Sequence, residues 1–281
     1  MKIISNIAEM QKQADILRSQ GKRIGLVPTM GFLHEGHLSL VQQIKTHADV
    51  VVMSIFVNPT QFAPNEDFED YPRDFDRDVD LAKSVGCDMI FNPDWRDMYP
   101  EPYLTYVEVE KITHVLCGLS RPTHFRGVTT VVAKLFNIIK PHVAIFGQKD
   151  AQQSIVIKRM LADLNFDIEI IVAPIVREKD GLAMSSRNTY LTPKQRAQAI
   201  VLYQSLMEAK RLIHEGERNA EMIKNRMRQM IEQQPDAAID YVEIVDTQDF
   251  EPQTELKGEM LIALAVQIGK PRLIDNIIIS V

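Results

Sequence analysis

A chain of 281 residues with 45% hydrophobic and 25% charged side chains holds enough apolar material for one large or two unequal domains, and none of the bias of a disordered or collagen-like protein. Its formal net charge of −6 argues against gripping a phosphodiester backbone, work that calls for basic patches. The isolated Cys87 and Cys117 supply neither a disulfide framework nor a zinc knuckle; with no signal-like leader and no run near the ~18 to 20 apolar residues of a membrane span, the chain is expected in the cytoplasm.

In chain order, the first predicted element is a helix over 6–19, with Asn6 as its cap and Ile7, Met10, Ala14 and Leu17 at helical spacing, stopped by Gly21. A short strand over 24–27 ends at Pro28; a glycine-bearing loop follows, and then Leu38, Val41 and Ile44 recur on one helix face. Residues 50–57 are apolar in succession and rich in β-branched side chains, the pattern of a central parallel strand covered on both faces. A polar loop over 58–73 leads to a helix near 75–85 and a strand over 88–91. Helices near 127–139 and 150–162 precede strands over 143–146 and 168–172.

This alternation predicts an α/β fold, a Rossmann-like doubly wound parallel sheet with ligands at the carboxyl ends of its strands. After residue 176 the texture changes. Two charged amphipathic helices over 193–214 and 218–233 precede apolar segments 239–245, 260–266 and 273–280 that read as antiparallel strands. The expected division is a Rossmann-like α/β domain over 1–175 and a smaller C-terminal α+β domain over 176–281.

The stretch 29–40, TMGFLHEGHLSL, sets His34 and His37 three residues apart at the mouth of a helix. Three readings are open there: a metal pair, a phosphate cradle, or polar residues at an ordinary helix start. Unpaired N–H groups and the helix dipole favour an anion, and two imidazoles can add donors. A zinc site needs a third ligand, and the familiar H-E-x-x-H spacing is i, i+4 rather than i, i+3. Downstream, Ser185, Ser186 and Arg187 form either a phosphate clamp or a solvated turn. In FGQKDAQQ (146–153), Lys149 can face a phosphoryl group, while Asp150 can cap a helix or bind a ribose hydroxyl.

The segments PTMGFLHEGHLSL, SIFVNPTQF, YPRDFDRD, RPTHFRGVTTVVAKLFNIIKP, FGQKDAQQ and REKDGLAMSSRNTYL, in this order and spacing, resemble the pantoate–β-alanine ligase family across nearly the whole chain. Within the wider nucleotidylyltransferase superfamily, His34 to His37 match its H-x-G-H signature and Met184 to Arg187 its KMSKS-like loop. The resemblance implies ATP-dependent condensation of pantoate with β-alanine through pantoyl adenylate, with Mg2+ accompanying ATP, and pyrophosphate then AMP released. It implies a catalytic set of His34, His37, Lys149, Ser185, Ser186 and Arg187, with Met30, Gly31, Gly147, Asp150, Val176 and Met184 completing the ATP site.

Gln61, Gln153 and Met30 would take pantoate and β-alanine, with Pro28, Met30 and Phe56 as an apolar wall and Arg121 orienting the nucleotide or its loop. No metal ligand is assigned, because the acidic run Asp74, Asp76, Asp78 is explained equally well as helix N-terminal charge. A homodimer is expected, from family precedent and from the apolar SIFVN strand, with no nucleic-acid or membrane partner. Two alternatives stand beside this. A nucleotidyl transferase with a phosphate acceptor would need cations where the glutamines stand, and a non-catalytic nucleotide-binding or tRNA-related protein would release no pyrophosphate.

Overall fold

Each apolar run read as a strand forms one in the computed structural model, which describes residues 1–64 and 66–281; Asn65 of the predicted polar loop lies outside the described residues. The elements run β1 (Lys2–Ile4), α1 (Ile7–Ser19), β2 (Ile24–Thr29), α2 (Glu35–Ile44), β3 (Val50–Ile55), α3 (Phe75–Ser84) and β4 (Met89–Phe91). Two single-turn helices follow, α4 (Trp95–Met98) and α5 (Cys117–Ser120), then α6 (His124–Ile139), β5 (Val143–Gly147), α7 (Ala151–Asp163) and β6 (Glu169–Ala173).

The six strands pair in the order β1-β4-β3-β2-β5-β6, all parallel. The chain steps outward from β2 to β3 and β4, then returns to lay β5 and β6 on the other side of β2. That reversal leaves the carboxyl ends of β2 and β5 diverging into a crevice, where open parallel sheets bind ligands. Val51, Val52 and Met53 of β3 are at most 1% exposed, because helices cover both sheet faces. Each such side chain contributes roughly 1.5–3 kcal/mol of hydrophobic stabilisation. Of the SIFVN segment, Ser54, Ile55, Phe56 and Asn58 are buried within this chain.

Several boundaries differ from the sequence reading. β2 runs through Pro28 to Thr29, with Pro28 opposite Ser54. Ile24 bonds on the β5 side, and alternation puts Leu26 and Pro28 on that side too. Pairing with β5 has ended at Leu26, so the missing proline N–H removes no ladder bond. β3 stops at Ile55, and α6 begins at His124 rather than near 127. β1 was not anticipated: of its three residues only Ile4 is buried, too short a pattern to read without its partner β4.

The predicted 193–214 helix is two, α8 (Pro193–Ala199) and α9 (Val201–His214), joined at Ile200, whose φ of −60° and ψ of −27° remain helical. α10 (Ala220–Glu232) leads into the antiparallel sheet β7 (Ala237–Asp246), β8 (Glu259–Ile268) and β9 (Arg272–Ser280). One face of this sheet packs on Leu206 and Ala209 of α9 and Ile223 and Met227 of α10. From the other, Val245, Leu261 and Ala263 join the core on one face of the large sheet.

Candidate active site

The loop leaving β2 is built from its own backbone donors. Thr29 Oγ1 donates to the Ser54 carbonyl at 2.7 Å and accepts from the Gly31 N–H at 3.2 Å. Gly31 stands at φ +81°, and a Cβ there would sit 2.9 Å from Asp78 Oδ2, so the turn requires glycine. The buried Asp78 carboxylate accepts the N–H groups of Phe32 and Leu33, both at 2.7 Å. Asp78 is thus a loop anchor, Asp74 caps α3 through the Arg77 N–H, and Asp76 is exposed; none of the three lines the crevice.

His34 is the N-cap of α2: its Nδ1 accepts the Gly36 N–H at 3.1 Å, while the His34 N–H donates to His37 Nδ1 at 3.3 Å. This is a capping box made of two histidines. The rings lie 4.0 Å apart, tilted by 35°. Burial, with the Lys149 charge, lowers His34 to about 4. Burial, then His34 and Lys149, hold His37 well below its ordinary range. Both imidazoles are therefore neutral at pH 7, and with each Nδ1 accepting a backbone N–H, each Nε2 carries the proton and is a donor. The metal reading loses its ligand atoms in this arrangement. Among the described residues no group of three or more His, Cys, Asp or Glu is placed to hold an ion.

Across the crevice, the turn after β5 presents Gly147, Lys149 and Asp150. Asp150 precedes α7 without making a side-chain cap bond, so the simplest account of it, a helix cap, is not realised. Its carboxylate lies 3.9 Å from the Lys149 ammonium. The loop after β6 folds back through an Arg177–Ala183 bridge and a Met184 N–H donated to the Val176 carbonyl at 3.0 Å. Ser185 Oγ accepts the Arg187 N–H, and Ser186 Oγ donates to the Phe32 carbonyl at 3.4 Å, tying this loop to the histidine loop. Arg187 forks onto Asp67 at 2.9 and 3.0 Å.

These groups enclose a cavity of about 240 Å³. Its lining includes Met30, His34, His37, Gly147, Lys149, Asp150, Val176, Met184, Ser185, Ser186 and Arg187, together with Gln61, Gln153, Arg121, Pro28 and Phe56. Of the residues assigned from sequence, Gly31 alone is behind the wall rather than on it. Gln61 accepts from Asn58 Nδ2 at 3.1 Å, and its own Nε2 contacts Met30 Sδ at 3.0 Å. α6 packs directly on the turn that carries Gln61 because Gly127 has no Cβ; one would lie 2.4 Å from the Thr60 carbonyl oxygen.

Sequence reasoning missed part of the wall. Val128, Val131, Val132 and Leu135 of α6 line the cavity, and their i, i+3, i+4, i+7 spacing was the available signal. Ser54 also lines it, 1% exposed, its hydroxyl without a hydrogen-bond partner among the described residues. His124, beside Arg121 in RPTHFRGV and unassigned from sequence, sits 2.9 Å from the Gln61 carbonyl, which can only accept. Its Nδ1 therefore carries the proton, and burial beside Arg121 pushes it down to about 3, leaving Nε2 an acceptor. His124, Lys149, Asp150 and Gln153 also border a second cavity of about 680 Å³ that extends toward the β7–β9 sheet.

The family model described as Pantoate-beta-alanine ligase matches residues 2–278. The chain is 56% identical over 281 residues to the pantothenate synthetase of Acetivibrio thermocellus, covering 100% of both. It is 57% identical over 280 residues to that of Pelotomaculum thermopropionicum, covering 100% of this chain and 99% of the relative. The crystal structure of the Thermus thermophilus pantothenate synthetase aligns with a TM-score of 0.93 at 40% identity over 99% of each chain. A Francisella tularensis pantoate-beta-alanine ligase, crystallised with beta-gamma ATP and beta-alanine, aligns with a TM-score of 0.80 at 37% identity, over 99% of this chain and 97% of that one.

Proposed function

The chain belongs to the pantoate–β-alanine ligase family, and from that premise we propose how its residues divide the work. It condenses pantoate with β-alanine at the expense of ATP. The observation that carries the assignment of roles is the convergence, in one cavity, of two Nε2–H donors and the Lys149 ammonium with the amides of Gln61 and Gln153.

In the first step a pantoate carboxylate oxygen attacks the α-phosphorus, and the bond to pyrophosphate breaks. The residues' task is to stabilise charge gathering on phosphate oxygens. His34 and His37 donate through Nε2, Lys149 supplies a full charge, and Ser185, Ser186 and Arg187 hold the β- and γ-phosphates. Gly147 and Asp150 hold the ribose; Val176 and Met184 frame the adenine. Gln61 and Gln153 take the polar groups of pantoate, and the α6 valines with Pro28, Met30 and Phe56 receive its gem-dimethyl group. The orphan Ser54 hydroxyl gains a partner when that acid is bound.

In the second step β-alanine, as its free amine, attacks the acyl carbon, the acyl–oxygen bond to AMP breaks, and the proton released from nitrogen passes to the departing AMP phosphate or to solvent. His124 Nε2 is an acceptor bordering both cavities, which suits it to orient the amine arriving from the larger one. Magnesium belongs to this reading as a companion of ATP. Asp150 is the single carboxylate lining the smaller cavity among the described residues, a set that fits an ion held mainly by phosphate oxygens, where it would neutralise phosphate charge.

The division into 1–175 and 176–281, with the second part as lid, and a homodimer in the cytoplasm complete the proposal. The described helices include none long and apolar enough to cross a membrane. Pyrophosphate release from Mg-ATP, followed with and without pantoate and then with β-alanine, tests the reaction. Pantoate-dependent pyrophosphate and β-alanine-dependent AMP and pantothenate are expected; pyrophosphate that ignores pantoate would sink the reading. Sedimentation checks the dimer.

A further inference from the structure

Strand β9 reads RLIDNIIIS, and its polar pair Asp275 and Asn276 is almost wholly buried, 2% and 3% exposed. Burying a carboxylate and an amide costs several kcal/mol unless both are partnered. Apart from the Asn276 N–H, their side-chain partners lie outside their own sheet. Asn276 Nδ2 donates to the carbonyls of Gln148 and Lys149, each at 3.0 Å, and its Oδ1 accepts from Gln148 Nε2 at 3.3 Å. The Asp275 carboxylate forks onto Arg177 at 2.6 and 2.9 Å and accepts the Asn276 N–H at 2.8 Å. Arg177 in turn donates to the Gly181 carbonyl at 3.0 Å and lies over the Tyr203 ring, 4.6 Å from its centroid.

One dipeptide of the last strand therefore grips two nucleotide-facing segments that are far apart in sequence. One is the Gln148–Asp150 turn that carries Lys149. The other is the hairpin between Val176 and Met184 that ends at Ser185. We propose that Asp275 and Asn276 are a positioning pair that holds Lys149 and the 176–188 loop at a fixed separation, so that the C-terminal sheet sets the geometry of adenylation. Neither residue need touch substrate. Asn276 acts through Lys149, because the carbonyls it holds decide where the Lys149 side chain leaves the backbone. This rests on reading Lys149 as a phosphate contact.

The test is a double-mutant cycle on pantoate-dependent pyrophosphate release, comparing Asn276→Leu and Asn276→Ser in wild-type, Lys149→Ala and His37→Ala backgrounds, with melting curves alongside. Asn276→Leu is expected to lower kcat about 10- to 100-fold, the scale of a small misplacement of a catalytic group, with the KM for pantoate nearly unchanged. Asn276→Ser, which keeps one donor, recovers part of the loss. On Lys149→Ala the Asn276→Leu change costs less than about twofold more, whereas on His37→Ala it keeps its full factor. Unchanged kcat in a folded Asn276→Leu enzyme, or additive losses with Lys149→Ala, overturns the proposal. So does failure of both Asn276 variants to fold, which makes the pair a folding element only. A wild-type enzyme without pantoate-dependent pyrophosphate release is a different failure, that of the functional reading; the same cycle is then read on ATP affinity by calorimetry, where coupling to Lys149 supports the pair and additivity overturns it.

Discussion

The main-chain N–H of His34 donates to Nδ1 of His37 at 3.3 Å, and this bond leaves the His37 proton on Nε2, the far side of the ring. The same histidines that look like a ligand pair in sequence are helix caps first, and their capping makes them donors. Structure and chemistry are separable here by the choice of substitution.

His37→Asn keeps an acceptor near the Nδ1 position and so preserves the cap, but removes the Nε2–H donor. Pantoate-dependent pyrophosphate release should fall by about 10²- to 10³-fold while the melting temperature stays within a few degrees of wild type. An Asn variant that turns over normally would leave His37 a cap alone.

Stability should fall on acidification, and the sign follows from the depressed histidines. His34 is lowered from 6.5 to about 4, so between those values the unfolded chain binds more protons than the folded one. The stabilisation is complete above the unfolded value and lost as pH falls toward about 4, on the order of 3 kcal/mol for this ring. His124, lowered to about 3, extends the window further down. His124→Asn can still donate to the Gln61 carbonyl but cannot titrate, so its urea midpoints should depend less on pH. Superimposable profiles for variant and wild type would remove His124 from this account.

Ser54→Ala removes a buried hydroxyl that has no partner among the described residues. The free protein should be as stable as wild type or slightly more so, because an unsatisfied group has been taken out, while the KM for pantoate rises about 3- to 10-fold. Kinetics untouched by the change would mean the hydroxyl meets no substrate atom.

Arg187 is engaged by the Asp67 carboxylate, a bidentate partner that, on the proposed reading, phosphate oxygens displace. Asp67→Asn weakens that competitor and is expected to lower the KM for ATP about 3- to 10-fold with the KM for pantoate unmoved. A raised KM for ATP would show that the ion pair instead prepares Arg187 for the nucleotide.

The order of strands and helices was legible in the sequence, because 3.6-residue and continuous apolar patterns are local properties of the chain. So were the three loops that carry His34 and His37, Lys149, and Ser185 to Arg187, since glycine turns and helix starts have local signatures. Tertiary structure decided the rest. β1 exists only because β4 pairs with it, and Pro28 is tolerated inside β2 only because pairing with β5 has already stopped. Asp78 and Asp150, equal as acidic residues in sequence, separate into a buried loop anchor and a carboxylate facing the cavity according to which backbone N–H groups happen to lie near them. The roles of His124, Ser54 and the pair Asp275 and Asn276 depend on partners on other elements, and burial together with hydrogen-bond geometry, which assign proton, tautomer and orientation, come into being only when those elements pack.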